Sequence, residues 1–401
     1  MNTNRFNILF LYYNVINPFK GGIQSVTYEL SNYLSSVGCS CYYLSLKRSE
    51  SNDSKQYFLP NDSSFLNKEN EKFLVDFIKE KKVNILINQG GFDKEGCQFS
   101  YIVKKYGVKL ISCLHNSLLD RIRYFDISYY DIFKRNKIQF LLKYTRNDFV
   151  KNLLYSMYRL KYLNHYNRLC ENSNRFLLLS DSFRDDFSFF IGDLPDNVSA
   201  MPNPIPSKIY KSESNSQKEK IVLYVGRIDM QQKRPDLLLQ IWSMVYKEHK
   251  NWKLIIVGGG DDLNYLKTYA SELHLENVIF EGNQNPLPYY QKASIFCMTS
   301  SYEGFGIVLV EAMNMKVVPI AFESFSTVRD IIDNDINGVL IPPFDIELYA
   351  EKLSEMMSND DLRDNFSDNA YIKSQQFQLD VVGNQWLAIF ASLFEDSNCY
   401  K

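Results

Sequence analysis

Residues 294–312 read SIFCMTSSYEGFGIVLVEA. The segment starts with a short apolar run, Ser294 to Met298, passes through a turn with two glycines, and continues as an apolar stretch of helical character. A buried strand, a glycine turn and a helix form the repeating unit of parallel α/β sheets. Glu303 and Glu311 lie on either side of the start of this helix. We therefore expect an α/β fold with a polar site at the carboxyl end of the strand.

The same pattern recurs on both sides of this segment. Short apolar runs alternate with helix-like stretches, as expected when crossover helices connect parallel strands. In the C-terminal half the runs are Ile221 to Val225, Lys253 to Val257, Val278 to Phe280 and Val317 to Ile320. In the N-terminal half they are Phe6 to Tyr13, Val83 to Ile87, Lys109 to Leu114 and Phe176 to Leu179. The sequence thus predicts two doubly wound sheets.

Length and composition agree with two domains. A chain of 401 residues exceeds what one core usually serves, and its 45 % apolar residues can fill two cores. Met201 to Glu219 is rich in Pro, Ser, Lys and Asn, which indicates a linker. We predict a Rossmann-like domain over 1–205 and a second one over 206–378, facing each other across a cleft. A helix over 379–401 is expected to cross back to the first domain.

Charge and cysteine content argue against several classes of protein. A net charge of −2 does not fit a wholesale nucleic-acid footprint, so no nucleic-acid partner is expected. The seven cysteines lack metal-ligand spacing and are interpreted as reduced core thiols. No run of eighteen apolar residues occurs, which favours a cytoplasmic protein, soluble or peripheral at the inner face of the membrane. The polar stretch Ser51 to Asn70 is expected to be a surface loop.

The two glutamates suit an extended nucleotide sugar. Eight residues of helix span about 12 Å, so Glu303 can hold sugar hydroxyls while Glu311 holds ribose hydroxyls. Between them, the amides of Phe305, Gly306 and Ile307 at a helix N-terminus can donate to phosphate oxygens. The plainer alternative is a helix with a charged first turn.

A second polar element, Gly226 to Lys233, follows the strand Ile221 to Val225. Arg227 can grip a pyrophosphate with its planar fork, and Lys233 can act as a mobile point charge. Both cations would stabilise the charge that develops on a leaving diphosphate. Arg234 is a rival to Lys233 for this role, and a solvated basic loop is the alternative interpretation.

His115 follows the apolar run Lys109 to Leu114, at the end of a strand where sheets of this kind bind ligands. A histidine satisfied within the core is the alternative. Two other patterns are interpreted as turns. Asp333 to Asp335 resembles a metal-binding DxD but precedes Asn337 and Gly338, and Gly258 to Gly260 lacks the dinucleotide-binding spacing. Both favour a metal-independent transferase over a dehydrogenase, with no metal site.

Together these stretches resemble the family 4 retaining glycosyltransferases, which have the GT-B fold and belong to the glycosyl transferases group 1. The resemblance covers most of the chain, and the two-glutamate element is its most specific part. The matching positions are Gly21 and Gly22, His115, Met201 to Asn203, Gly226 to Lys233, Gly258 to Gly260 and Glu303 to Glu311. The spacing from Arg227 to Lys233 is one residue longer than in the commonest form of the family.

The resemblance implies a role for each matching residue. Arg227 and Lys233 would bind the donor diphosphate, and Gly22 would offer its amide to the phosphates. Glu303 would contact the transferred sugar and Glu311 the ribose, with His115 beside the anomeric carbon. It also implies front-face substitution, in which a phosphate oxygen accepts the proton of the incoming hydroxyl.

The expected function is a retaining, metal-independent hexosyltransferase. It would move a hexose or N-acetylhexosamine from a nucleotide diphosphate sugar, UDP-sugar in preference to GDP-sugar, with no further cofactor. The acceptor would be a glycan or a polyprenyl-linked saccharide in the biosynthesis of a surface polysaccharide such as a capsule. The alternatives are a catalytically silent glycosyltransferase-like subunit that binds glycan or a partner protein, and a nucleotide-sugar epimerase.

Residues 121–168 form a locally basic segment. Eleven Lys or Arg stand against three Asp, interleaved with twelve Tyr and Phe. Such a mixture is typical of an amphipathic surface that meets anionic lipid headgroups, which would make the protein peripheral to the membrane. Ordinary helices whose aromatic side chains fill the core of the first domain explain the same composition.

Overall fold

The computed structural model describes residues 6–18, 21–51, 53–128, 137, 139–210 and 217–395. The chain divides into two compact units. Of the described residues, 6–116, 159–207 and 377–395 form the first unit, and 117–158 and 208–376 form the second. The predicted boundaries are within two residues of the observed ones after 205 and 378, but residues 117–158 group with the second unit. Within that unit, the ring of Tyr124 packs edge-on against Phe344 with centroids 5.0 Å apart.

A seven-stranded parallel sheet forms the centre of the first unit. Its strands are β1 (Asn7–Tyr12), β2 (Ser40–Ser45), β3 (Gln56–Phe58), β4 (Ile85–Asn88), β5 (Lys109–Leu114), β6 (Arg175–Leu178) and β7 (Val198–Ala200). The spatial order is β3-β2-β1-β4-β5-β6-β7, so the sheet is doubly wound.

The second unit contains a six-stranded parallel sheet. Its strands are β8 (Ile221–Val225), β9 (Lys253–Val257), β10 (Val278–Gly282), β11 (Ile295–Met298), β12 (Val318–Phe322) and β13 (Val339–Ile341). The spatial order is β10-β9-β8-β11-β12-β13. The prediction of two doubly wound α/β sheets is therefore confirmed.

Helices connect the strands of both sheets. In the first part of the chain they are α1 (Gly22–Ser36), α2 (Lys68–Lys81), α3 (Lys94–Ser100), α4 (Asp120–Arg123), α5 (Phe125–Ser128), α6 (Asp148–Asn172), α7 (Phe183–Ile191) and α8 (Ser207–Tyr210). In the rest they are α9 (Pro235–Val245), α10 (Leu263–Glu272), α11 (Leu287–Lys292), α12 (Ile307–Asn314), α13 (Val328–Ile331), α14 (Ile346–Ser358), α15 (Asp360–Ser374) and α16 (Leu379–Glu395). Short 3₁₀ segments span Tyr101–Tyr106, Gln139–Arg146 and Gln375–Phe377.

Alternation along the strands builds a core on each face of the first sheet. Ile8 and Phe10 belong to one cluster of buried side chains, and Leu9 and Leu11 belong to the other. This is the pattern of a sheet that is covered on both faces. The final helix α16 closes the first cluster, where the ring of Phe390 lies 5.6 Å from that of Phe6.

One prediction about the first unit is wrong. Ser51 to Asn70 is not a simple surface loop, because it contains the edge strand β3 and the first turn of α2. Leu59 and Phe65 within it are buried in the second cluster, where they anchor the segment to the sheet. The prediction was wrong because the segment is mostly polar, although these two apolar residues are buried.

Other features of the described residues concern cysteines, metals and membranes. Six cysteines are buried and free. Asp333 to Asp335 forms a turn in which Asp333 pairs with Lys373 at 3.0 Å, and no group of side chains in the described ranges could hold a metal ion. None of the described helices is both long and apolar enough to span a bilayer.

Glycines bring the loops after β8 and β9 into backbone contact. Gly258 has φ +152°, and a Cβ added there would lie 1.8 Å from the carbonyl oxygen of Gly226. A Cβ on Gly260 would lie 2.2 Å from the carbonyl oxygen of Ile228. Any side chain at these positions would push apart the two loops at the carboxyl edge of the sheet.

We therefore predict that Gly260→Ala destabilises the protein by about 1–3 kcal/mol, as overpacking does. Gly259→Ala is the matched control, since its Cβ would meet nothing closer than 3.6 Å. Thermal unfolding monitored by circular dichroism measures both variants. Equal melting temperatures for the two would show that the loops can separate at no cost.

Candidate functional site

The candidate site of the second unit lies where its sheet changes winding direction. The strand β8 pairs with β9 on one side and with β11 on the other. In open α/β sheets, ligands bind outside the carboxyl ends of the strands at such a switch point. Residues 226–234 follow β8, and residues 299–306 follow β11. The two predicted polar elements therefore share one edge of one sheet.

Hydrogen bonds join these two loops. The amide of Ser301 donates to the carbonyl of Gln232 at 2.7 Å, and the Gln232 side chain donates back to the carbonyl of Tyr302 at 3.2 Å. The Thr299 hydroxyl donates to the carbonyl of Arg234 at 2.8 Å. These contacts fix the loops without involving the charged side chains that the loops carry.

Lys233 and Glu303 form an ion pair between the loops. The distance from Lys233 Nζ to Glu303 Oε1 is 2.5 Å, and the two side chains are 19 % and 8 % exposed. Arg234, the rival candidate, instead makes a bidentate pair with Asp236 at 2.9–3.2 Å. Burial makes each charge of the first pair depend on the other, because an isolated charge would be poorly solvated there. The structure thus brings Lys233, rather than Arg234, to the glutamate.

Arg227 belongs to the loop after β8, and its side chain is 60 % exposed. Its Nη2 atom is 2.9 Å from Asp229 Oδ2 and 3.0 Å from Gln232 Oε1. Asp229 also accepts hydrogen bonds from the amides of Gln231 and Gln232, at 2.9 and 2.8 Å. A carboxylate that closes a turn in this way is a common Asx motif, and Asp229 was not predicted from the sequence. Asp229 holds both the loop and the guanidinium.

The start of α12 has no side-chain cap. Gly306 precedes the helix with φ +81°, a left-handed conformation that favours glycine. Phe305 is buried, and the hydroxyl of Thr327 donates to the carbonyl oxygens of Gly304 and Phe305. The chain is thereby turned so that α12 begins at Ile307, directly after the loop that carries Glu303. The first amides of a helix have no partner within it and attract anions.

Glu311 lies within α12 and is only 9 % exposed. Its Oε2 atom accepts a hydrogen bond from the hydroxyl of Tyr290 at 2.9 Å. Burial raises the pKa of Glu311 to about 7, and the hydrogen bond from Tyr290 works in the opposite direction. Tyr290 was not singled out from the sequence, because one tyrosine in a short helix carries no local signal.

His115 lies in the first unit, after β5. Its Nε2 is 2.6 Å from Oε1 of Gln89, which assigns the ring proton to Nε2. Nδ1 is buried, with no partner among the residues that the structure describes. Burial lowers the pKa of His115 to about 4, so the ring is neutral at physiological pH. It lines a cavity of about 280 Å³ together with Tyr12, Tyr13 and Phe92.

Gly22 is the first residue of α1, at the carboxyl edge of the same sheet. Gly21 before it has φ +79°, so its backbone favours glycine. A Cβ on Gly22 would meet nothing within 4 Å, so the space beside it is open. Gly22 and His115 therefore belong to the first unit, whereas the other predicted site residues belong to the second.

Part of the chain matches a known protein family. Residues 207–373 match the family Glycosyl transferases group 1. The matched range coincides closely with the part of the second unit that carries Arg227, Lys233, Glu303 and Glu311. The specific assignment to family 4 retaining enzymes stays a prediction.

Curated relatives match over less than half of the chain. The amylovoran biosynthesis glycosyltransferase AmsD of Erwinia amylovora is 32 % identical over 173 residues, 43 % of this chain and 48 % of the relative. A Campylobacter jejuni N-acetylgalactosaminyltransferase that acts on a saccharide linked to undecaprenyl diphosphate is 26 % identical over 182 residues, 45 % of this chain and 50 % of the relative. The chain thus spans about half the length of these relatives.

Solved structures extend the likeness to both units. Anabaena HepE in complex with UDP has a TM-score of 0.74 at 15 % identity, covering 96 % of this chain and 100 % of that one. At this level of identity the likeness concerns the fold, which is that of GT-B glycosyltransferases.

The Lys233–Glu303 pair predicts a measurable coupling. We expect Lys233→Met to lower the free energy of unfolding by about 3 kcal/mol, because it leaves a buried carboxylate without its partner. Adding Glu303→Gln should then cost little more, so the double variant loses less than the sum of the single ones. Urea unfolding of the four proteins measures this. Additive losses would mean that the pair contributes nothing, and Lys352→Met, which breaks an exposed pair with Glu355, should cost under about 1 kcal/mol.

Proposed function

We propose that this protein is a retaining, metal-independent glycosyltransferase. It transfers a hexose or N-acetylhexosamine from a nucleotide diphosphate sugar, UDP-sugar in preference to GDP-sugar, to a saccharide acceptor. The observation that carries the proposal is the ion pair of Lys233 and Glu303, at the sheet edge that also holds Arg227 and the start of α12. The cations and the helix N-terminus can bind the diphosphate of a nucleotide sugar, and the carboxylates can bind its hydroxyl groups.

The diphosphate binds to the cationic side of the site. Arg227 offers exposed guanidinium donors, and Lys233 offers a charge that is already held in place by Glu303. The amides of Gly306 and Ile307 add donors at the start of a helix, where anions are favoured. These groups can neutralise a leaving diphosphate, which supports a mechanism without a metal ion.

The carboxylates bind the two sugars of the donor. Ionised carboxylates only accept hydrogen bonds, and each can take two hydroxyl donors. Glu303, in the loop beside Lys233, would hold hydroxyls of the transferred sugar. Glu311, one helix turn and more from the start of α12, would hold those of the ribose. Oε2 of Glu311 is taken by Tyr290, so Oε1 would be the oxygen that accepts from the ribose.

The reaction proceeds on one face of the transferred sugar. The bond from the anomeric carbon to the phosphate oxygen breaks, and its electron pair leaves with the diphosphate. The acceptor oxygen forms a bond to the same face, and its proton passes to a phosphate oxygen. In the first unit, His115 has a neutral imidazole whose buried Nδ1 lacks a partner among the described residues, and the ring would lie beside the anomeric carbon. A ring that stays neutral is unsuited to serve as a general acid.

The acceptor we propose is a glycan or a polyprenyl-linked saccharide in the assembly of a surface polysaccharide. Support comes from the names of relatives that act in amylovoran biosynthesis and on an undecaprenol-linked saccharide. A catalytically silent subunit remains the competing function. Release of free nucleotide together with transfer to an acceptor separates an enzyme from a silent subunit.

Arg227→Ala should lower the transfer rate about tenfold to a hundredfold. The reason is the loss of a charge-assisted contact worth about 1.5–3 kcal/mol. Nucleotide release from a panel of UDP- and GDP-sugars, with saccharide acceptors, measures the effect. Arg184→Ala, which removes an exposed arginine from α7, is the control and should retain full activity. A normal rate for Arg227→Ala would reject its role at the diphosphate.

We also propose that the protein binds the inner face of the membrane through part of its basic segment. Phe149, Leu153, Met157 and Leu160 form an apolar stripe along α6, with exposures of 77, 51, 59 and 72 %. Their spacing of four, four and three residues places them on one face of the helix. Residues 129–136 and 138 of the segment lie outside the described residues.

Cations accompany the apolar stripe. At 3.6 residues per turn, Lys161 lies beside it and is exposed, whereas Arg159, on the other side of the helix, is exposed and donates through Nε to the carbonyl of Phe190 at 3.3 Å. Other aromatic residues of the same helix, Tyr162 and Tyr166, are buried in the first unit. The two interpretations of the segment thus apply to different faces of α6. Exposed apolar side chains bordered by cations match an anionic lipid surface.

Replacing Phe149 and Leu153 by serine should weaken binding to anionic vesicles by at least about tenfold, because each removes apolar area that would insert between lipids. Co-sedimentation with vesicles that contain phosphatidylglycerol measures binding, and high salt should reduce it further. Ile372→Ser is the control, since Ile372 is 68 % exposed on a different helix. Unchanged vesicle binding, or a stripe that instead holds two copies together in sedimentation velocity, would refute the proposal.

A further inference from the structure

Outside the predicted site, Tyr290 contacts Glu311 directly, and Lys218 contacts the ends of the helices that carry these two residues. Tyr290 belongs to α11, the helix before β11, and Glu311 belongs to α12, the helix after it. The Tyr290 side chain is fully buried, and its ring lies 6.1 Å from that of Phe296 on β11. A buried hydroxyl without a partner would be costly. The Tyr290 hydroxyl finds its partner in Oε2 of Glu311, at 2.9 Å.

Because of this hydrogen bond, the two carboxylate oxygens of Glu311 are in different environments. Oε2 is occupied inside the protein, whereas Oε1 makes no hydrogen bond to any residue in the described ranges. Burial favours the protonated carboxyl, and the Tyr290 hydroxyl favours the carboxylate. A protonated carboxyl would present a donor where a ribose needs an acceptor. Tyr290 therefore acts on both the direction and the charge of Glu311.

Lys218 links the two helices from behind. Its Nζ donates to the carbonyl oxygens of Tyr290 at 2.9 Å, Gln291 at 3.0 Å and Met315 at 2.6 Å. Gln291 belongs to the last turn of α11, and Met315 directly follows α12. A cation is favourable at the C-terminal ends of helices, where carbonyl groups lack partners. One ammonium group thereby ties together the helices that carry the tyrosine and the glutamate.

We infer that Tyr290 and Lys218 are positioning residues for Glu311, which hold its carboxylate ionised and aimed at the ribose of the nucleotide. This inference rests on the proposed function, because it concerns the same donor site. Neither residue needs to touch the nucleotide. Tyr290 acts through its hydroxyl, and Lys218 acts through the carbonyl groups at the helix ends.

The groups around Glu311 determine in which direction nucleotide binding changes with pH. The titratable group that faces Glu311 is Tyr290 from α11, with Lys218 behind it and Lys316 next to Lys218. The pKa of Tyr290 lies well above its usual value, so the hydroxyl keeps its proton over the range in which Glu311 ionises. Burial and Lys316 lower the pKa of Lys218 to about 7, whereas its three carbonyl acceptors favour the charged form. Nucleotide binding should therefore weaken as the pH falls and Glu311 takes up a proton.

The test is Tyr290→Phe, which removes the hydroxyl and keeps the ring. Binding of UDP-glucose and GDP-mannose is measured by calorimetry from pH 6 to 9, since neither ligand has a phosphate group that titrates near neutrality. We expect about tenfold weaker binding at pH 7, recovery above pH 8.5, and a midpoint about one unit higher than in the unmodified protein. Tyr349→Phe is the control. Its hydroxyl is equally buried but donates to a backbone carbonyl, that of Ile320, at 2.6 Å.

Lys218 is tested through rescue by a similar residue. Lys218→Met should weaken nucleotide binding, and Lys218→Arg should restore most of it, because a guanidinium can still donate to several carbonyl groups. If Tyr290→Phe fails to fold, Glu311→Gln takes its place. It cannot ionise, so it should bind weakly and without pH dependence between pH 6 and 9.

The outcomes separate the two proposals. A Tyr290→Phe protein with the affinity and pH profile of the unmodified protein would overturn the positioning role, and so would a Glu311→Gln protein that keeps the pH dependence. An unmodified protein that binds no member of a panel of UDP- and GDP-linked hexoses and N-acetylhexosamines would contradict the proposed function itself.

Discussion

The ion pair between Lys233 and Glu303 is the interaction on which the candidate site depends. The two residues are 70 positions apart in the chain, and their side chains meet at 2.5 Å because β8 and β11 are neighbours in the sheet. Each charge is mostly buried and is tolerable only in the presence of the other. The pair therefore fixes a cation and an acceptor side by side, before any ligand arrives. Such preorganised charges are more effective than charges that must be reoriented during a reaction.

The backbone around the pair is rigid for a separate reason. Gly258 and Gly260 let the loops after β8 and β9 touch, and hydrogen bonds to Gln232 join the loop after β8 to the loop after β11. Behind them, Lys218 and Tyr290 connect the helices on both sides of β11. The contacts that hold the polar groups at the sheet edge in place thus involve no exposed side chain. Arg227 is the exception, because it is exposed and held by Asp229.

Most strands could be predicted from apolar runs and glycine turns, but the short strand at the edge of the first sheet could not. The run Lys109 to Leu114 coincides with β5, and Lys253 to Val257 coincides with β9. By contrast, β3 was taken for part of a loop, because a three-residue edge strand has too few residues to show a period. Among the site residues, Glu303 and Glu311 stood out through their glycine frame. Tyr290 and Lys218 did not, because their partners are distant in the chain and no local pattern marks them.

Local pattern alone established that this chain contains two parallel α/β sheets and that its second half carries cations and carboxylates at strand ends. It could not show which carboxylates Lys233 and Arg234 pair with, or which face of the helix α6 is buried. Tertiary structure decided both, since Lys233 pairs with Glu303, Arg234 pairs with Asp236, and α6 buries one face and exposes another. The physical reason is that periodicity is a property of neighbours in the chain. The pairing of charges, the burial of a carboxylate and the exposure of a helix face arise only when distant segments meet.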